Sequence, residues 1–181
     1  MATSHIVLLR GINVGSHNRI AMATLREMLT GLGYSAVRTL LNSGNAVVTA
    51  PAADPAEVAG EIHAAISDTF GLTIGTVVLS RAQIERVVAR NPMPDEAERA
   101  PKFFHVGFGE PAPAPAALAA IDAASLLPEK VVLDEGTLYL WFADGMRDSP
   151  LAKALGAKKL DRTVTMRNWN TVRKLVDLAD S

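Results

Sequence analysis

Val37-Arg38-Thr39-Leu40-Leu41-Asn42-Ser43-Gly44-Asn45-Ala46-Val47-Val48-Thr49-Ala50 is the stretch that decides the fold. Two runs rich in β-branched residues flank the turn Asn42-Ser43-Gly44, so Val37–Leu41 and Asn45–Ala50 are predicted strands of a hairpin. Upstream, Met22, Leu25, Met28, Leu29 and Leu32 recur at helical spacing, and Gly33 is placed to end that helix. Before it, Ser4–Arg10 reads as a strand apolar on both faces, and hence a central one. Downstream, Asp54-Pro55-Ala56-Glu57 is a helix start, with a capping aspartate, a proline at the first helical position and a glutamate closing a capping box. Val58, Ile62, Ile66 and Phe70 line one face of this helix, Gly71 stops it, and Thr73–Leu79 follows as a fourth strand. The order is β-α-β-β-α-β, the split β-α-β arrangement of the ferredoxin-like fold.

The pattern then repeats. Ser80-Arg81-Ala82-Gln83 is another capping box, for a helix running to about Arg90. Asn91-Pro92-Met93-Pro94 breaks it, and Asp95, Glu96 and Glu98 read as a solvated acidic linker. Lys102–Phe108 is a predicted strand, and residues 111–124 begin Pro-rich and become an Ala-rich helix around Leu118 and Ile121. Val131–Leu133 and Thr137–Phe142 form a hairpin through Asp134-Glu135-Gly136, and Ser149-Pro150 starts a short helix to about Leu155. A strand near Thr163–Thr165 completes a second sheet, and a last helix from Asn168 turns Trp169, Val172, Leu175 and Val176 inward. The expected fold class is therefore α+β: two ferredoxin-like halves with antiparallel sheets, plus a C-terminal helix. The expected division is 1–80 and 81–181, the alternative being one compact unit.

The chain of 181 residues is long enough for a sizeable core, with half its residues apolar and a fifth charged. It has no cysteine, which excludes disulfides, thiolate metal sites and cysteine nucleophiles. The N-terminus lacks a basic region, and its apolar run is too short for a signal peptide or a membrane span, so a cytoplasmic protein without membrane contact is expected. The net charge of −1 hides an uneven distribution. Residues 1–50 carry Arg10, Arg19, Arg26 and Arg38 against Glu27 alone; residues 51–146 have a net charge of −8; residues 147–174 have +6. If the two basic ends meet, they make an electropositive seat for an anion; the plain alternative is a scattered, solvated charge distribution.

Three motifs are candidates for chemistry. In Arg10-Gly11-Ile12-Asn13-Val14-Gly15-Ser16-His17-Asn18-Arg19, a Gly-rich loop lies between a buried strand and a helix start, where free N–H groups and the helix dipole favour an anion. It is not a Walker loop, because no Gly-Lys-Ser/Thr follows, and not a dinucleotide fingerprint, because the glycine spacing is wrong. The second motif is Asn42-Ser43-Gly44-Asn45 with Arg38 upstream; no base is assigned to Ser43, and a plain hairpin turn accounts for it. The third is Thr165-Met166-Arg167-Asn168-Trp169-Asn170-Thr171, where Arg167 and the amides suit a phosphate or base edge, while Asn168 also reads as an N-cap and Trp169 as core. The candidate ligand-binding residues are thus Arg10, Asn13, Gly15, Arg38, Ser43, Asn45, Arg167 and Asn168. His5, His17, His63 and His105 have no metal-ligand spacing; no metal or cofactor is expected, and only His17 is placed on a loop where it could titrate. Tyr139 and Trp141 share one strand face, too few aromatics for an RNA-recognition sheet.

Leu8–Gly15, Asn42–Asn45 and Thr165–Leu175 together resemble the motifs of the bacterial domain-of-unknown-function family 1697. The resemblance covers most of the chain and implies the same two-part α/β layout. It departs at Gly15-Ser16-His17, where the family usually carries a Gly-Gly-Lys-like stretch, and at Asn42, where it carries Gln. The resemblance implies fold and membership but no activity. The function expected is binding of a phosphate-bearing ligand, a nucleotide or nucleic acid, at a basic site formed by the chain's two ends. The alternatives are an enzyme acting on a small phosphorylated or carboxylated metabolite, with His17 as acid or base, and a protein-interaction module.

Overall fold

The computed structural model describes residues 3–51, 54–119, 121–157, 160 and 164–180. The chain divides into two units, Met1–Arg86 with Lys174–Ser181, and Val87–Arg173, the divisions falling inside two helices.

In the first unit, strands β1 (Thr3–Leu9), β2 (Ser35–Leu40), β3 (Asn45–Ala50) and β4 (Thr76–Ser80) form a sheet in the order β2-β3-β1-β4, antiparallel throughout. Helices α1 (Met22–Gly31) and α2 (Pro55–Phe70) follow β1 and β3. Leu25, Leu29, Ile62 and Ile66 from these helices share one buried core with Val7, Leu9, Ala46 and Val48 from the sheet. The cross-strand register puts Ile6 beside Val47 and Leu8 beside Asn45 on the other face, and these four are also fully buried. That explains why β1 alternates no polar residues between Ile6 and Leu9. Helix α2 starts where its local chemistry requires: Asp54 Oδ1 accepts from Ala56 N at 2.8 Å, and Gly71 closes the helix in the left-handed conformation. Helix α3 (Arg81–Ala89) has its reciprocal box, Gln83 Oε1 accepting from Ser80 N (2.7 Å) and Ser80 Oγ from Gln83 N (3.2 Å). Residues 174–180 are joined to this unit partly by the Arg81–Asp180 ion pair (2.7 Å).

In the second unit, β5 (Phe104–Gly109), β6 (Lys130–Asp134), β7 (Thr137–Trp141) and β8 (Val164–Asn168) form a second antiparallel sheet, order β6-β7-β5-β8. Leu138, Leu140, Phe142 and Val164 make its core with Leu151 and Leu155 of a helix over Pro150–Ala157. Two expectations are corrected here. The acidic stretch is not a linker: Pro94–Arg99 is a short helix, α4, opened by Pro94 and held by buried Met93 and Ala97. Residues 111–124 are not one helix: a single turn, α5 (Pro115–Ala119), gives way to a 3₁₀ turn at Ala123–Leu126, which Asp122 caps through Ala124 N (3.2 Å). The Pro150–Ala157 helix is α6, and the final helix, α7, runs Trp169–Asp180. The first strand of this unit begins at Phe104 rather than Lys102, and its last runs to Asn168; Thr163 lies outside the described residues. Tyr139 and Trp141 are buried, with Tyr139 Oη donating to Val87 O at 2.9 Å.

Candidate functional site

The Gly-rich loop of the first unit is closed by its own asparagines. Asn13 sits at φ +54, in the left-handed region that asparagine tolerates better than most residues. Its Nδ2 donates to Ile20 O (2.9 Å) and to Asn42 O (2.7 Å), and its Oδ1 accepts from Ile20 N (2.9 Å). One amide thus ties the loop's exit to its entry and also fastens it to the hairpin turn. Asn18, at φ +50, donates through Nδ2 to Gly11 O (3.1 Å), and its own carbonyl accepts from Asn13 N (3.0 Å). Ile12 and Ile20 anchor both ends in the core. The part left outside is Val14-Gly15-Ser16-His17, all exposed, with Gly15 at φ +59.

The hairpin turn packs against the same loop. Leu9 N donates to Gly44 O at 2.7 Å. Gly44 is at φ +80, and a Cβ there would lie 2.7 Å from Leu9 Cβ and 2.9 Å from Ile12 Cγ1, so no other residue fits without displacement. Asn45 is fully buried, and its Nδ2 donates to Leu40 O (2.9 Å) and Ser43 Oγ (3.0 Å). Leu41, just before the turn, is 58% exposed and held at φ +60.

Of the residues singled out from sequence, Asn13, Gly15, Ser43 and Asn45 are gathered on this joined loop and turn, and Arg10 stands at the loop's start. Asn13 and Asn45 spend their amides on protein partners, so their part is to hold the shape. Arg38 lies on β2 opposite Val47, on the face that carries Ile6 and Asn45. Arg167 and Asn168 belong to the second unit. Arg167 is buried in β8; its Nη1 donates to Thr165 Oγ1 (2.7 Å) and Met166 O (2.9 Å), and burial pulls its pKa down to about 10. Asn168 Oδ1 accepts from Thr171 N (3.0 Å) and Thr171 Oγ1 (2.9 Å), capping α7.

The charges at the loop are all of one sign. Arg10 is half-buried and Arg19 exposed, and among the described residues neither guanidinium has an ion-pair or hydrogen-bond partner. Helix α1, which the loop feeds, has no side-chain cap at Ala21 and no acidic residue in its first turn. Both facts leave positive charge without a paired acid at the loop and at the start of α1. Gly75 is a residue that sequence reasoning passed over. It receives the Arg10 N–H on its carbonyl at 2.8 Å and lies under the Arg10 side chain. Its only sequence signal is an isolated glycine inside a predicted strand, which marks a close approach. Among the described residues no three His, Asp or Glu side chains are placed to hold a metal ion, and no helix is long and apolar enough to cross a membrane.

A family model described as "Protein of unknown function (DUF1697)" matches residues 2–139. No curated protein matches the chain. Its fold is similar to the solved structure of the conserved bacterial protein SP0830 from Streptococcus pneumoniae, with a TM-score of 0.83 and 24% identity over 99% of each chain.

Proposed function

The chain belongs to the DUF1697 family, and from that premise we propose that it binds a phosphate-bearing ligand, a nucleotide or nucleic acid, at the Arg10–Arg19 loop of its first unit. The observation that carries the reading is the pair of unpartnered arginines, Arg10 and Arg19, at the two ends of a loop whose backbone is fixed by Asn13. An arginine whose charge is already neutralised by a carboxylate offers an anion little; these two have no such competitor among the described residues. Guanidinium groups suit phosphate because they can donate two parallel hydrogen bonds. The exposed Gly15 lets a ligand oxygen approach the backbone, and the uncapped start of α1 adds its own partial positive charge. Asn13 and Asn45 enter this reading as the loop's fasteners and Ser43 as part of the adjoining turn. Arg38, Arg167 and Asn168 stand as separate candidates.

Each unit is read as ferredoxin-like, a reading supported by its strand order and by the alternation of strands with helices. A bacterial, cytoplasmic setting is supported by the absence of cysteine and by the bacterial source of the similar structure.

The test is thermal melting of the protein with inorganic phosphate, nucleoside mono- and triphosphates, and short RNA and DNA, at low and moderate salt. A ligand at about 100 times its dissociation constant stabilises by about 2.7 kcal/mol. The expected result is a salt-sensitive upward shift that disappears in a folded Arg10→Ala/Arg19→Ala variant. A shift of the same size in that variant would overturn the assignment.

A further inference from the structure

We infer that Gly75 is a positioning residue for this site: it lacks a side chain so that the Arg10 guanidinium can lie across the start of β4. The inference rests on the reading of Arg10 as an anion contact and adds how Arg10 is held.

The backbone does not demand glycine here. Gly75 is not among the residues with positive φ, so alanine could adopt its conformation. What excludes a side chain is Arg10. A Cβ at position 75 would lie 2.8 Å from Arg10 Nε, 3.4 Å from Nη2 and 3.5 Å from Arg10 Cβ, the first distance shorter than side-chain contacts allow. The two backbones cannot move apart to relieve this. Arg10 N donates to Gly75 O at 2.8 Å, and the neighbours Leu9 and Thr76 are paired in the β1–β4 ladder. Ile74 is buried, and its carbonyl accepts from Thr76 Oγ1 (3.2 Å), which holds the other side. The displacement therefore falls on the guanidinium, the far end of a flexible chain. The Arg10 guanidinium has no hydrogen-bonding partner among the described residues, so the bare surface of Gly75 is what restricts it. A guanidinium is planar and weakly hydrated, which lets it rest on a peptide surface while its edge stays available to an anion. An arginine already placed loses less freedom when the ligand arrives.

The experiment compares the parent protein with Gly75→Ala and Arg10→Ala, using inorganic phosphate and adenosine 5′-monophosphate as probes. Binding is read by calorimetry, and the Arg10 Nε–Hε signal by NMR. Gly75→Ala is expected to melt at or slightly above the parent temperature, to move the Arg10 Nε signal, and to weaken probe binding by roughly two- to tenfold, the range expected for losing one pre-placed side chain. A folded Gly75→Ala that binds as the parent does, while Arg10→Ala does not, overturns the positioning role and leaves the site standing. Arg10→Ala binding as the parent does, or a parent that binds neither probe, overturns the site and this inference with it. Should Gly75→Ala not fold, relaxation of the Arg10 Nε in the unliganded parent decides: slower motion than at the exposed Arg19 supports the seat, and equal motion refutes it.

Discussion

Replacing Gly44 by alanine tests the packing on which the loop–turn junction depends. The added methyl meets two independent costs. The first is conformational, because an L-residue at φ +80 is strained by roughly 1–2 kcal/mol. The second is steric. The new carbon would lie 2.7 Å from Leu9 Cβ and 2.9 Å from Ile12 Cγ1, both on fully or nearly fully buried residues that have nowhere to retreat. Overpacking of this kind costs about 1–3 kcal/mol, so the total is about 2–5 kcal/mol. That is a large share of the 5–15 kcal/mol that ordinarily separates a folded domain from its unfolded chain. The assay is urea unfolding followed on amide signals of β1 and β3. Tryptophan fluorescence is the wrong probe, because Trp141 and Trp169 both belong to the second unit. Gly15→Ala is the control: it shares the positive φ, but nothing lies within 4 Å of its Cβ, so only the conformational cost applies, roughly 1–2 kcal/mol. If Gly44→Ala costs no more than Gly15→Ala, the tight contact between turn and loop is refuted.

Two further perturbations concern the rest of the chain. His5 is 1% exposed, with no partner for either ring nitrogen among the described residues, and His105 is likewise held below the usual histidine pKa by burial. A depressed folded-state pKa means the fold holds the neutral ring. Stability is then complete above the unfolded value near 6.5 and falls as pH drops below it; a urea midpoint unchanged between pH 7 and 5 contradicts this. His5→Leu should flatten part of that fall. Glu129, also buried, accepts through Oε2 from Ser149 Oγ and from Leu151 N at the start of α6, each at 2.8 Å. Glu129→Ala removes both bonds and strands a buried N–H, so a loss of about 3 kcal/mol in urea unfolding is expected; a loss under about 1 kcal/mol would show that water replaces the carboxylate.

Much of the fold was legible because its signals are local. The hairpin around Asn42–Gly44, the cap at Asp54, the reciprocal box at Ser80–Gln83 and the stop at Gly71 each rest on residues within a few positions of one another. What failed was short or non-periodic. Pro94–Arg99 buries only Ala97 within its six residues, too few to register as a helical stripe, so its acids dominated the reading. The Ala-rich run at 111–124 carries helix propensity, but Asp122 restarts the chain in a tighter turn. Of the candidate site, the Gly-rich loop stands out by composition, whereas the Asn13 amide bonds a carbonyl 29 positions away, a pairing no spacing rule encodes. Gly75 was missed because its contribution is an absent atom, visible only once Arg10 is placed above it.

The first unit is made from both extremes of the chain, residues up to Arg86 and again from Lys174. That imposes a schedule on synthesis. When β1 to β4 have left the ribosome, about ninety residues must still be translated before the closing segment exists, a wait of roughly 4–18 s at 5–20 residues per second. The second unit is contiguous and needs nothing that comes later, so it can finish first although it is made second. Among the described residues the core between α1, α2 and the sheet draws on positions 7–78, so it can close before that interval ends; what waits on translation of residues 87–173 is the burial of Leu175 and Ala179 and the pairing of Asp180 with Arg81.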